Sequence, residues 1–453
     1  MPSSPAAEAE AGSDARPRQA RTFVADLAAH VGERVVVNGW IERVRPGKRI
    51  VQVRDRTGVV QGVVRAEDGT FALVPEDLDG LEALTPESAV RTTGTVRPSR
   101  GDGAVQLEVE RIELLSPAAA PLPLARDASP EARLDHRYLD LRSRSRFLVF
   151  EVQATLERAM REFCAAEGFI EIHSPKISGG GSESGATTFS VPYFGAEAAL
   201  VQSPQFYMQM AMAAGFDRVL EVGPVFRNEA GVTPRHATEF TIAHFELSWI
   251  ETHEDLMRFE QELLRFALAA VGEAHGEEIA AVFGVPVEEV PASIPRVSLR
   301  DAPDLTGGSL TGESGAHLLG KAEQALSKHA QREHGTSFVF LTDYPADARP
   351  FYTMREGTMS RSFDLLWRGI ELTSGGQREH RYDVLRSQVT DAGMAPEAVA
   401  SYLEPYFLEM FRHGCPPHGG FGIGINRLLM ALLGLPSIRE ASYVFRGPGR
   451  FVP

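Results

Sequence analysis

From about residue 146 the apolar positions of "RFLVFEVQATLERAMREFCAAEGF" recur every three to four residues and stop at Gly168, which predicts a helix ended by glycine. Residues 30–115 carry a different rhythm. The runs "RVVVNGWIERV", "RIVQVRDRTGVVQGVVR", "AVRTTGTVRPS" and "AVQLEVERIELLS" are short, rich in valine and broken by Gly, Asp-Arg and Pro, the pattern of a small all-β barrel. Between them "SPAAAPLPLARDASPEA" cannot pair in a central strand or continue a helix, so it reads as a linker. Beyond the first helix come a strand "IEIHSP" and further strands in "RVLEVGPVFRNE", "EFTIAHFELSWI", "SFVFLTDYP", "SFDLLWRGIELTSGG" and "GGFGIGI". Helices are expected near 254–272, 314–334, 396–412 and 426–434. Strands joined by short turns, with helices set apart, predict an antiparallel sheet flanked by helices, an α+β chain. The expected divisions are a disordered tail over 1–20, the barrel over 21–115, a linker over 116–145 and a second domain over 146–453.

Composition narrows the class. The 453 residues suffice for two or three domains with cores. Two cysteines, Cys164 and Cys415, are too few for a disulfide scaffold and match no metal-ligand spacing, so both are expected as buried thiols in a reducing compartment. No apolar run approaches the ~20 residues that cross a bilayer, and a cytoplasmic protein without a membrane partner is expected. The net charge of −15 argues against blanket affinity for polyanions, although Arg34, Arg43, Arg45, Lys48, Arg49, Arg54 and Arg56 make one basic surface. A solvated charged face is the plainer alternative for that surface.

Two segments carry candidate chemistry. "VFRNEAGVTPRHATEF" gathers arginines, glutamates and a histidine around a Gly/Pro turn, and strand alternation puts Arg227 and Glu229 on one face. The planar fork of arginine suits phosphate or carboxylate, but a lone Arg-x-Glu is more often a surface salt bridge. "PPHGGFGIGINRLLMALLGLP" runs a glycine-rich strand into a helix near Arg427, so a ligand can approach the backbone while an arginine stacks on a ring or pairs with phosphate. Its spacing fits neither a dinucleotide fingerprint nor a P-loop.

Together these segments resemble the ordered signature motifs of class II aminoacyl-tRNA synthetases. Over residues 22–453 the chain is most similar to archaeal-type aspartyl enzymes, through "GW", "RDRTGVVQ", "RLDHRYLDLR", "FIEIHSPKI", "QSPQFYMQ", "FDRVLEVGPVFRNE", "RPFYTM", "SFDLLWRGIELTSGGQREHR", "PPHGGFGIGINR" and "LPSIREA". The resemblance implies an N-terminal OB-fold barrel for the anticodon, a class II catalytic domain, a homodimer, and ATP and magnesium. It implies activation of aspartate to an acyl-adenylate and transfer to tRNA. It places Arg227 on the α-phosphate, Glu229 on the adenine amino group, Arg235 and His236 on the outer phosphates, and Arg427 against adenine and the γ-phosphate. Glu371 and Ser374 match magnesium positions, Ser203, Gln205 and Glu183 match positions around the amino acid's α-amino end, and Arg378 matches the contact to its side chain. Ile50 and Gln61 match anticodon contacts.

Departures from that pattern cluster in the side-chain pocket and the barrel. Met208 stands where aspartyl enzymes carry lysine and His244 where they carry aspartate, so the pocket loses a positive charge that His244 replaces only if protonated. Otherwise His244 is a packed core histidine. Thr187 in the "GATTF" segment leans towards the asparaginyl pattern. Ile50 replaces a stacking phenylalanine, the loop "RVRPGKRI" is short, and Asn426 replaces an acidic residue before the last motif's arginine. Three functions follow as alternatives: an aspartate-tRNA ligase, a specialised paralogue activating asparagine or another analogue, and a non-catalytic tRNA-binding relative.

Overall fold

The structure, a computed structural model, describes residues 20–64, 72–75, 80–99, 104–125, 127–179, 187–228, 231, 233–306, 320–394 and 396–452. The chain divides into two compact units, 1–144 and 145–453. The disordered tail expected over 1–20 lies, except for Ala20, outside the described residues.

In the first unit the valine-rich runs become β1 (Arg34–Arg45), β2 (Ile50–Asp55), β3 (Gly58–Val64), β5 (Ala89–Pro98) and β6 (Val105–Ser116), and a short β4 (Ala72–Val74), outside those runs, joins them. Their order is β3-β2-β1-β5-β6-β4, and a parallel β3–β6 pairing closes the sheet into a barrel. Alternation sends Val37, Ile41, Val51, Val53, Val90, Val96, Leu107 and Ile112 into a fully buried core. The opposite residues face outward, so register sets Arg43 against Gln52, Gln52 against Gln61 and Gln61 against Gln106 in one rung. Part of the expected basic surface is consumed locally: Arg54 pairs with Glu42 and Glu87, and Arg34 with Glu110.

The second unit starts on α1 (Arg144–Ala166) and the left-handed Gly168 that ends it, as the sequence predicts. Its main sheet comprises β7 (Ile170–Glu171), β11 (Arg218–Phe226), β12 (Glu239–Ser248), β13 (Arg296–Ser298), β14 (Phe338–Thr342), β17 (Ser362–Trp367), β18 (Ile370–Gln377) and β19 (His418–Gly424). Between these lie a small sheet of β8 (Ile177–Ser178), β9 (Ser190–Tyr193) and β10 (Ala196–Leu200) and a ribbon of β15 (Arg355–Glu356) and β16 (Met359–Ser360). The main order is β13-β14-β17-β18-β19-β12-β11-β7. The centre is antiparallel as expected, but both edge pairings, β13–β14 and β11–β7, are parallel. The strand expected over "IEIHSP" shortens to two residues at that edge.

Helices α2 (Gln205–Ala213), α3 (His253–Phe283), α4 (Gly320–His334), α5 (Tyr382–Asp391) and α6 (Ile425–Leu433) flank the sheet. The helix expected to end at 272 continues to Phe283, because a capping box of Thr252 and Asp255 starts it and only Gly284, in the left-handed region, stops it. Over 396–412 most of the helix is π-helical, Val399–Leu408, with Pro405 inside. A proline cannot donate to an α-helical ladder, and the wider turn accommodates it. Cys164 and Cys415 are free and buried, and burial pushes both thiols up to about 12.

The two faces of the central sheet differ sharply. Towards α3, Phe245 meets Phe421 at 5.0 Å and Phe259 meets Phe421 at 6.1 Å, an aromatic layer worth ~0.5–1.5 kcal/mol per pair beyond burial. Glu260 of α3 is buried against this layer beside Thr373, and desolvation pushes its carboxyl up to about 8. On the opposite face β19 presents Gly420, Gly422 and Gly424, leaving a floor of bare backbone.

Candidate active site

The open face is built rung by rung. Register aligns Asp364, Ser374, Gly422, His244 and Glu221 across five strands, and Gly376, Gly420 and Glu246 on the next rung. Strict alternation would send Glu371 and Ser374 to opposite faces. A bulge in β18 prevents this, because Leu365 and Leu366 are consecutive whereas their partners Thr373 and Glu371 are not. Glu371 and Ser374 therefore share the open face, where Arg427 of α6 donates to a Glu371 carboxylate oxygen at 3.3 Å. Ser374 Oγ accepts from Arg349 at 2.9 Å, and Arg349 also holds Asp364 at 2.7 Å.

The charged segment "VFRNEAGVTPRHATEF" runs from the end of β11 to the start of β12. Arg227 lies one residue past β11, and its N–H continues the ladder to the Thr238 carbonyl at 2.9 Å. Glu229 lies outside the described residues, as does Glu183. Arg235 binds the Glu323 carboxylate of α4 and the Gly369 carbonyl, the latter at 2.8 Å, while His236 contacts Thr233. Burial pushes the Glu323 carboxyl up to about 7, with Arg235 and Arg427 pulling it down and Glu371 pushing it up. Arg235, Glu371 and Arg427 thus meet around Glu323, a residue the sequence pattern did not flag.

Along the same face α2 supplies the second cluster. Ser203 Oγ accepts the Gln205 N–H at 3.1 Å, ordering the entry to the helix. Gln205 Nε2 donates to Glu246 at 3.3 Å, which leaves its Oε1 to accept from Arg378 at 2.8 Å and from His244 Nε2 at 3.0 Å. Arg378 also donates to both Glu246 oxygens, at 3.1 and 3.4 Å, and to the Gly420 carbonyl at 3.1 Å. Every contact to Glu246 in this set is a donor, so its carboxylate is ionised there even though burial pushes its pKa upward. Desolvation, then Arg378 and Lys176, lower the His244 pKa to about 3. The histidine is neutral and does not replace the missing lysine charge. Met208 is fully buried with Ala211, Met212 and Val219 and adds no polar atom. Sequence reasoning also missed Glu246, although it sits two residues past His244 on one strand and alternation puts both on one face.

Asn426 is nine-tenths buried and works structurally: its amide donates to the Ala441 carbonyl at 2.9 Å and its oxygen accepts the Thr241 N–H at 3.4 Å. Among the described residues no group of three or more His, Cys, Asp or Glu side chains could hold a metal ion alone. Glu371 and Ser374 are two oxygen donors on one open face, which fits a hard cation completed by water and substrate phosphate. In the barrel, Ile50 pairs with Val63 and Gln61 with Gln52, so both expected anticodon positions share the outward face.

A glycine floor between an arginine–carboxylate cluster and a buried arginine pocket defines a ligand face suited to a phosphorylated substrate and an amino acid. The chain belongs to the class II tRNA synthetases (D, K and N), whose family pattern matches residues 129–445, and an OB-fold nucleic acid binding domain matches residues 35–115. It is thereby a ligase of the kind that forms amino acid–AMP. Among relatives, it is 40% identical to the aspartate–tRNA(Asp/Asn) ligase of Aeropyrum pernix over 95% of this chain and 99% of the relative. It is 39% identical to the enzyme of that name from Thermus thermophilus over 96% and 100%. Asparaginyl-tRNA synthetase of Pyrococcus horikoshii, solved with asparaginyl-adenylate, superposes with a TM-score of 0.84 at 29% identity, covering 95% of this chain and 99% of that one. Aspartyl-tRNA synthetase of Entamoeba histolytica gives 0.82 at 27%, covering 96% and 93%.

Proposed function

We propose that the protein activates aspartate or a close analogue with ATP to an acyl-adenylate and transfers the acyl group to tRNA. The observation that carries this is the single open face on which the β18 bulge, the glycine strand and α2 unite Glu371, Ser374 and Arg427 with Gln205 and Arg378.

Adenylate formation needs the amino acid's carboxylate oxygen to attack the α-phosphorus while pyrophosphate leaves, and no protein nucleophile takes part. The protein's work is placement and charge compensation. Arg378 and Gln205 hold the amino acid, with Ser203 ordering Gln205. Arg227 balances charge on the α-phosphate, and Arg235, His236 and Arg427 address the outer phosphates and adenine. Arg235 must exchange Glu323 for phosphate to do so. Magnesium, held by Glu371 and Ser374, supplies positive charge beside the phosphates when bound. Glu229 and Glu183 take the adenine and α-amino roles by motif. The outward barrel face with Ile50 and Gln61 receives the anticodon, and a cytoplasmic homodimer completes the reading, since the first motif's helix and Pro175 form the subunit interface in this family.

The specialised-paralogue reading stays second, favoured by Met208 and neutral His244. The test is ATP-dependent attachment of radiolabelled aspartate and asparagine to bulk tRNA as an alkali-labile ester. Its absence with both amino acids would overturn the charging function.

A further inference from the structure

The pocket around Arg378 has an electrical balance and an unused atom that together define its substrate more narrowly. Arg378 is compensated by Glu246, and Lys176 by Glu221 on the strand beside His244. His244 is neutral and Met208 apolar, so the described charged groups around His244 sum to zero. A substrate carboxylate buried here would find no uncompensated cation, and desolvating a charge without a partner is costly.

The tautomer of His244 is fixed. Gln205 Oε1 can only accept, so His244 Nε2 carries the proton and donates to it. Nδ1 is then a lone-pair acceptor, buried and without a hydrogen bond among the described residues. It lies against the glycine strand: a Cβ built on Gly422 would lie 3.2 Å from it, with the tip of Ile242, Cδ1, across the same spot at 2.6 Å. An unmet buried acceptor normally costs ~1–3 kcal/mol. It is relieved by a donor that displaces the flexible Ile242 tip over Gly422 and opposed by the lone pairs of a carboxylate. Arg378 Nη1 makes no hydrogen bond among the described residues, so a donor to the substrate's side-chain oxygen stands in the same pocket.

We propose that this pocket selects an uncharged side chain that both accepts and donates hydrogen bonds, a carboxamide over a carboxylate, with His244 Nδ1 reading the donor and Arg378 the oxygen. The proposal rests on the amino-acid-activation reading above and, within it, sets the close analogue, a carboxamide such as asparagine, ahead of aspartate.

The test is equilibrium binding of two non-hydrolysable sulfamoyl-adenosine analogues, one aspartyl and one asparaginyl, to the full chain by calorimetry at pH 7.5. The adenosine part is common, so the ratio isolates the side-chain pocket. The asparaginyl analogue is expected to bind about tenfold or more tightly. In His244→Phe, which has no acceptor, the two affinities are expected to converge to within about threefold; a merely structural role would weaken both and keep their ratio. If the variant fails to fold, the wild-type ratio alone decides. Equal binding, or tighter binding of the aspartyl analogue, would overturn the proposal and leave amino-acid activation standing. Binding of neither would overturn both.

Discussion

The glycine strand makes a graded prediction, because three glycines on one face differ in what a methyl group would meet. At Gly420 an added Cβ overlaps the Glu246 carboxylate and the Phe245 carbonyl. Both overlaps must be removed: the carbonyl is backbone, so β19 has to shift from β12 locally, and the carboxylate has to move as well, which breaks its bonds to Arg378. Separating a buried ion pair leaves uncompensated charge and costs about 3–5 kcal/mol. At Gly422 the Cβ meets Ile242 Cδ1 at 2.6 Å and His244 Nδ1 at 3.2 Å, side-chain atoms that can give. Overpacking of that kind costs ~1–3 kcal/mol. Gly424 has an ordinary φ of −70° and no neighbour closer than 3.8 Å, but it caps α6. The gain of alanine through the unfolded chain is offset by a poorer cap, and the variant is expected to lie within about 1 kcal/mol of the wild type. Denaturant midpoints of ligand-free Gly420→Ala, Gly422→Ala and Gly424→Ala, followed by far-ultraviolet circular dichroism, check the order. If Gly420→Ala proves as stable as Gly424→Ala, the packing of Glu246 and Arg378 over this floor is wrong.

Three further outcomes are expected. Glu371→Gln should slow adenylate formation by about 10–100-fold and raise the magnesium it requires; unchanged rates at limiting magnesium would remove Glu371 from the metal role. Glu260 has its carboxyl raised to about 8 in the folded state, so the folded protein binds more protons than the unfolded chain and stability falls as pH rises from the ordinary carboxylate range through about 8. Glu260→Gln, which mimics the protonated acid, should lose that component of the fall, and parallel melting curves from pH 5 to 9 would refute it. Gln61→Ala should raise the KM for tRNA by about fivefold without altering tRNA-independent pyrophosphate exchange; an equal effect on both would deny the barrel face its anticodon role.

Local pattern made much of this visible. The period of "RFLVFEVQATLERAMREFCAAEGF" marks α1, and alternation in the valine runs marks the barrel core, because each signal reports which side of one element is buried. Paired charges such as Arg235–Glu323 and Arg349–Asp364 carry no such signal, since each partner looks like an ordinary surface charge until folding buries it. The bulge that brings Glu371 and Ser374 onto one face is likewise silent, being set by pairing with β17. Gly272 and Gly276 look like a helix end, yet Ala- and Glu-rich neighbours and the buried Val271 and Ile279 carry the helix through. His244 illustrates the remaining limit: its protonation depends on burial and on Arg378, far away in sequence.

The most direct measurement is amino-acid-dependent exchange of labelled pyrophosphate into ATP without tRNA, comparing the wild-type chain with Arg227→Gln. The account expects exchange that requires aspartate, asparagine or a close analogue and falls by about a hundredfold or more in the variant. No exchange with any amino acid of that class, or full exchange without Arg227, would contradict it.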